Sequence, residues 1–293
     1  MGDFIYQGYA ATVLDAQYNA RSSVTSFEDE YSRLVDVSNA VMRDFEHQTG
    51  IVYDEKSGET LDFYPAGKDA PLFVWIHGGY WRGGNAADNA FVVPGLYAHG
   101  FSVAVIDYTL APAVTLDEIV RQVRSAIRFL HRNRSLFGIE AAPFVVGGTS
   151  AGGHLTAMLL SDDWQRPYEV PDDIVGVALD LSGLHDLTPL PFTHVNGWMN
   201  FDEAMVARNS PQFMIPKTSS ACLIASVGGL ETLEFRRQTA AYAEAWQRAG
   251  HWAVVVDMPE QNHFDLPLTL REPDGKLVCA VLEAASQLSK GSR

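Results

Sequence analysis

The stretch FVVGGTSAGGHL, Phe144–Leu155, joins two kinds of pattern. Its first residues, FVVGGTS, are apolar and end in glycines, as a buried strand does. From Ala151 onward, AGGHLTAMLLS opens a helix. At the junction, Gly148-Thr149-Ser150-Ala151-Gly152 spells G-x-S-x-G. Between a strand and a helix this pattern forces the serine into a sharp, strained turn above the sheet, and only small neighbours avoid a clash there. The helix behind aims its positive end at the serine. A glycine-rich turn that merely packs tightly gives the same letters. Phosphate-binding readings fail. A G-x-x-x-x-G-K-[ST] loop starting at Gly148 needs Lys where His154 stands, and G-x-G-x-x-G puts Ser150 on its second glycine.

Outward from this junction the chain alternates. LFVWIHGG, FSVAVIDY, IVGVALDLSG, ACLIASVGG and WAVVVDMP read as strands. TLDEIVRQVRSAIRFLHRN, TLEFRRQTAAYAEAWQRAG and KLVCAVLEAASQLSK read as helices. Upstream, residues 27–47 show helical spacing, and IVYD and TLDFYPAG flank a hairpin at Lys56-Ser57-Gly58. This order predicts an α/β fold with about eight strands, the first few antiparallel and the rest parallel, covered by helices on both faces. One tract breaks the alternation. Residues 187–218, rich in Pro, Met and aromatics, read as an insertion over the mouth of the sheet. No composition shift marks a second domain, so residues 1–293 are expected to form one domain, with residues 1–50 and 187–218 as a small lid.

A serine that attacks a carbonyl creates an oxyanion, which needs N–H donors placed in advance. Ala151 supplies one. HGGYW, His77–Trp81, supplies the others through the bare amides of Gly78 and Gly79, as in the HGG-type loops that precede the nucleophile of esterases and lipases. His77 anchors that loop. Tyr80 and Trp81 are expected to wall a substrate pocket or to pack under the insertion.

The base is expected after the last strand, in the chain order Ser, acid, His. Of nine histidines only His263 lies between the last strand and the last helix. His154, one turn past Ser150, is expected to pack; His185 and His194, beside the insertion, could touch substrate. The acid belongs in the loop after ACLIASVGG, where Glu231 comes first. Glu234, Asp257, Glu260 and Asp186 are the other carboxylates in range. Glu231 and Glu234 also suit the capping of the helix that follows.

Composition narrows the partners. The formal net charge of −15 repels phosphate backbones and anionic membranes, so neither nucleic acid nor a membrane is expected. No run of about 18 apolar residues exists. MGDFIYQGYA fits neither a signal peptide nor a myristoylation site. Cys222 and Cys279 have no metal-like spacing and read as reduced core residues of a cytoplasmic protein.

With these segments placed, the chain resembles the α/β-hydrolase superfamily, its hormone-sensitive-lipase-like branch, and within that the bacterial kynurenine formamidases (arylformamidases). YNAR, LDFYPAG, IHGGYWRGG, DYTLAP, GTSAGGHL, LSGLHDLTPL, EFRRQTAAYAEAW and NHFD carry the resemblance, from about Tyr18 to Phe264. It implies an α/β-hydrolase fold with Ser150 as nucleophile, His263 as base and the amides of Gly78, Gly79 and Ala151 as oxyanion hole. The family acid maps onto Glu231, where many members carry Asp. The resemblance further implies hydrolysis of N-formyl-L-kynurenine to kynurenine and formate, with no metal and no cofactor. The expected partner is a small aromatic amide or ester, bound by Tyr80, Trp81 and Trp198; Met199, Phe201 and Phe192 are further lid residues in reach. A carboxylesterase acting on short acyl esters is the alternative, and the chain could assemble as a homodimer.

Overall fold

The computed structural model describes residues 4–291 of the chain. Its main sheet has eight strands: β1 (Gln48–Asp54), β2 (Glu59–Tyr64), β3 (Leu72–Ile76), β4 (Ser102–Ile106), β5 (Phe144–Thr149), β6 (Val175–Leu181), β7 (Cys222–Gly228) and β8 (Ala253–Met258). They lie in the order β1-β2-β4-β3-β5-β6-β7-β8. The β1–β2 and β2–β4 pairs are antiparallel. All other neighbours are parallel, which requires a crossover between them. The eight strands and the antiparallel start agree with the alternation read from the sequence.

The inner strands are buried on both sides, and the period of two sorts their side chains. Leu72, Val74 and Ile76 of β3 enter one core, while Phe73 and Trp75 enter the other. Three helices cover the first face: α3 (Leu116–Arg132), α4 (Ala151–Met158) and α5 (Leu233–Arg248). Thr115 caps α3 by accepting the Glu118 N–H, and the helix buries Ile119, Val123, Ala126, Ile127 and Leu130 at helical spacing. The second face is covered by α2 (Phe27–Asp44), through Val41, and by α6 (Lys276–Gly291), through Leu277, Val278 and Val281. Because those three residues of α6 turn inward, Cys279 turns outward and is exposed, contrary to its expected place in the core. Cys222, in β7, is buried.

The chain before β1 runs across the carboxyl ends of the strands. Helix α1 (Ala11–Gln17) leads into a short 3₁₀ turn at Ala20–Ser23 and then into α2. Asp15 contacts His194 at 2.7 Å, Gln17 O accepts from Thr232, and Asn262 donates to Glu30. The tract 187–218 folds into short helical turns, including Asn196–Met199 and Glu203–Arg208. Residues 1–3 of the expected lid lie outside the described residues. Among the described residues, no helix is long and apolar enough to cross a membrane.

One close approach fixes where α4 begins. A Cβ on Gly152 would lie 2.0 Å from the Ile76 carbonyl oxygen, and one on Gly148 would lie 2.3 Å from the Gly152 oxygen. The ends of β3 and β5 therefore touch α4 backbone to backbone. Gly152→Ala is expected to lower stability by about 3 kcal/mol, because backbone cannot yield as a side chain does. Thermal melting checks this, and a melting temperature within 1–2 °C of wild type, roughly the scale of a few tenths of a kcal/mol, contradicts it.

Candidate active site

Five loops meet at the carboxyl ends of β3, β5, β6, β7 and β8. The loop after β5 carries Ser150, with φ +56° and ψ −118°. A non-glycine residue in that region is strained, and such strain persists only where surroundings over-determine it. Here the Ser150 N–H donates to the Leu181 carbonyl at 2.8 Å and its own carbonyl accepts from His154 at 3.0 Å. Ser150 is 4% exposed.

The loop after β3 approaches it directly. A Cβ on Gly78 would lie 3.3 Å from the Ser150 Cβ. Gly79, Tyr80 and Trp81 then hold consecutive positive φ angles of +104°, +51° and +57°. Side chains from elsewhere pin this turn. Tyr108 donates to the His77 carbonyl at 3.0 Å, and Trp198 donates to the Tyr80 carbonyl at 3.1 Å. Among the hydrogen bonds of turns and loops in the described residues, the N–H groups of Gly78, Gly79 and Ala151 donate to no carbonyl.

His77 is buried, stacks on Tyr108 with ring centres 4.2 Å apart, and places Nδ1 2.8 Å from the Gly78 carbonyl. Burial holds its pKa down at about 4, so the ring is neutral and braces the loop. His154 is likewise buried, with a pKa lowered to about 3 by burial, and Nε2 lies 2.7 Å from the Asn209 carbonyl. It packs, as expected.

The loops after β7 and β8 bring Glu231 and His263 together. His263 Nδ1 lies 2.6 Å from Glu231 Oε2. Glu231 Oε1 accepts from the Gly228 N–H at 2.7 Å and from Ser182 Oγ at 2.6 Å. Both residues are 6% exposed. The imidazole is wedged against Phe235, with ring centres 4.6 Å apart, and against Phe264. Both carboxylate oxygens are thus engaged, and His263 Nε2 is the ring nitrogen turned away from the acid.

The other carboxylates lie elsewhere. Asp257 and Glu260 are exposed, Asp186 accepts from Tyr6 and Thr188, and Glu234 accepts from Tyr18 and Arg237. Thr232, at the N-cap of α5, makes no side-chain cap bond; its hydroxyl donates to Gln17 O instead. The capping reading of Glu231 therefore fails, because its carboxylate faces His263 and not the helix end.

The three aromatic residues expected against substrate differ in placement. Tyr80 and Trp198 are half-buried, and Tyr80 donates to the Tyr18 carbonyl. Trp81 is fully buried, edge-on to His154 at 5.1 Å and to Phe201 at 6.3 Å. It supports the wall from behind and has no surface to offer a ligand. His185 is also fully buried and cannot touch substrate, whereas His194 is half-exposed on Asp15. Ser182 was not among the expected site residues. It lies near the end of IVGVALDLSG, read only as a strand, and a serine before a glycine at the carboxyl end of a strand is the sole signal in the sequence.

A cavity of about 320 Å³ lined by Ser23, Asp29, Glu30, Leu230 and Asn262 adjoins the Glu231 and His263 loops. A larger one, about 670 Å³, sits at the amino ends of β6 and β7 beside Val175 and Ala221, at the opposite end of the strands from Ser150.

Asp107 stands behind the loop after β3, where its Oδ1 accepts the Ala86 N–H at 2.7 Å. Burial pushes its pKa up to about 6, against the pull of that amide, and the nearby Asp62, Glu59 and Asp88 add to the rise. Between its ordinary value near 4 and this value the folded state binds more protons than the unfolded one, so stability falls as pH rises through about 4 to 6. Asp107→Asn keeps the acceptor and removes the charge. Its melting temperature should exceed wild type's above about pH 6 and converge with it near pH 4. A pH-independent difference contradicts the assignment.

Three comparisons bear on this geometry. The BD-FAE family model matches residues 61–226. Kynurenine formamidase of Salmo salar is 33% identical over 242 residues, covering 80% of each chain. Esterase LipC of Mycobacterium tuberculosis is 27% identical over 62% of this chain and 53% of its own. A solved structure from Silicibacter sp. tm1040, described as a thioesterase, superposes with a TM-score of 0.80 at 26% identity, over 92% of this chain and 98% of that one. The chain belongs to the BD-FAE family and is a hydrolase of the α/β-hydrolase fold, in the hormone-sensitive-lipase-like branch with the kynurenine formamidases.

Proposed function

We propose that the protein is a serine hydrolase that cleaves an N-formyl or N-acyl aromatic amide through Ser150, His263 and Glu231, with N-formyl-L-kynurenine as the substrate. The 2.6 Å contact between His263 Nδ1 and Glu231 Oε2 carries the reading. A buried carboxylate on Nδ1 sets the tautomer and stabilises the imidazolium that forms during attack. The substrate comes from kynurenine formamidase relatives at 33% identity and from the HGGYW and NHFD segments.

Ser150 Oγ attacks the formyl carbon as His263 Nε2 takes its proton. The amides of Gly78, Gly79 and Ala151 receive the oxyanion, each such donor being worth about 3 kcal/mol in the transition state. His263 returns the proton to the departing arylamine nitrogen, and water then releases formate from the acyl-serine. An arylamine leaves more readily than an alkylamine, so the acid needs only moderate strength. Tyr80 and Trp198 face the substrate in this scheme. Of residues 1–50, the stretch 4–26 before α2 acts with residues 187–218 as the lid, since α2 packs on the second face of the sheet and Gln48 begins β1, and the 320 Å³ cavity beside the His263 loop is the entrance. Short acyl esters are the second reading, favoured by the 27% identity to LipC.

Formate release from N-formyl-L-kynurenine tests the proposal, with 4-nitrophenyl acetate run beside it. Deformylation should be abolished by Ser150→Ala and reduced roughly 10³–10⁴-fold by Glu231→Gln. Ester cleavage without deformylation keeps the triad and rejects the substrate. Activity retained in Ser150→Ala rejects the triad.

A further inference from the structure

Asp180 and His185 form a wholly buried pair that the proposed chemistry does not use. His185 Nε2 lies 2.7 Å from Asp180 Oδ2, and neither side chain has exposed surface. Beyond that contact, neither carboxylate oxygen and neither ring nitrogen hydrogen-bonds to another protein group. A buried ion pair with no further hydrogen bonds recovers little of its desolvation cost, and well-packed apolar residues of similar volume would commonly be as stable or more so. The His185 ring is held flat on Tyr242, with centres 4.2 Å apart and planes 1° apart.

The pair stands between the nucleophile and the acid. Asp180 lies on β6, in register with Gly148 of β5 on one side and Ala225 of β7 on the other. The next residue, Leu181, accepts the Ser150 N–H, and the one after it, Ser182, donates to Glu231. Ser182 holds a positive φ of +53°, so the two serines are strained at the ends of two neighbouring strands, β5 and β6. The carboxylate touches both turns. A Cβ on Gly153, in the first turn of α4, would lie 2.5 Å from Asp180 Oδ1, and one on Gly183 would lie 2.3 Å from it. A negative group at that first turn is drawn to the helix amides. The backbone of His185 is fixed in turn, since its N–H and that of Asp186 both donate to Gln238 Oε1.

We propose that Asp180 and His185 are positioning residues. They hold the strained turns of Ser150 and Ser182 against one another, and through Ser182 they set the oxygen of Glu231 that leaves Oε2 facing His263. This inference rests on the triad reading above.

The double variant Asp180→Ala/His185→Phe removes the polar atoms, keeps a ring on Tyr242 and leaves the summed side-chain volume close to that of the native pair. The readouts are the rate at which a fluorophosphonate labels Ser150, kcat and KM for 4-nitrophenyl acetate, and the melting temperature. Labelling and kcat should each fall tenfold or more, with KM within twofold and the melting temperature equal to wild type's or higher. Ser182→Ala should show the same split between kcat and KM. Labelling reduced less than tenfold overturns the proposal. So does a lowered melting temperature or an unfolded product, which assigns the pair an ordinary structural role. Labelling that persists in Ser150→Ala, or is absent from the wild type, is the distinct result that rejects the triad reading.

Discussion

The backbone contact between the end of β3 and the first turn of α4 is the constraint from which the site follows. With Gly152 against the Ile76 carbonyl and Gly148 against Gly152, the chain must reverse within a few residues of Thr149. No relaxed conformation of Ser150 satisfies that reversal, so φ goes to +56°. The strain is small against the cores on both faces of the sheet, which keep β3 and β5 in register. The same closeness brings Gly78 onto the Ser150 Cβ, so the turn that lifts the serine beyond the strand end also brings the bare amides to it.

Electrostatics at the site depends on saturation. Glu231 sits in a place where an unpartnered carboxylate would be costly, yet it accepts from Ser182, Gly228 and His263. Each donor comes from a different strand end: Ser182 just after β6, Gly228 as the last residue of β7, and His263 in the loop after β8. Sheet register thus converts directly into the position of a carboxylate oxygen. Asp180 and His185 lie close by as a wholly buried pair whose polar atoms hydrogen-bond to no other protein group.

The N-terminal chain is tied in by a buried polar network. Tyr18 donates to Glu234 Oε2 at 2.8 Å and accepts from Gln238 Nε2 at 2.8 Å. Arg237 closes on the same glutamate. Burial drives the Tyr18 pKa upward, with Glu234 adding to it, so the hydroxyl remains a donor. Gln238 spans from this tyrosine to the backbone of His185 and Asp186, linking the N-terminal chain to the loop after β6. YNAR and EFRRQ, far apart in the chain, thus form one contact.

Local pattern was enough for the sheet, the helices and the serine turn, because strand period, helix period and glycine spacing are properties of neighbouring residues. His263 was legible by its place after the last strand. Glu231 was legible only as one of several carboxylates, since capping and pairing with a histidine use the same residue type at the same place. Tertiary structure decided between them by the direction of one side chain. It also chose between the two readings of Trp81, packing it under the insertion against Phe201 and not on the pocket surface, and placed His185 in the core and Cys279 outside it. Ser182 and the Asp180–His185 pair were invisible in the sequence for a physical reason: their meaning lies in hydrogen bonds and contacts across neighbouring strands, and only the folded register brings those partners together.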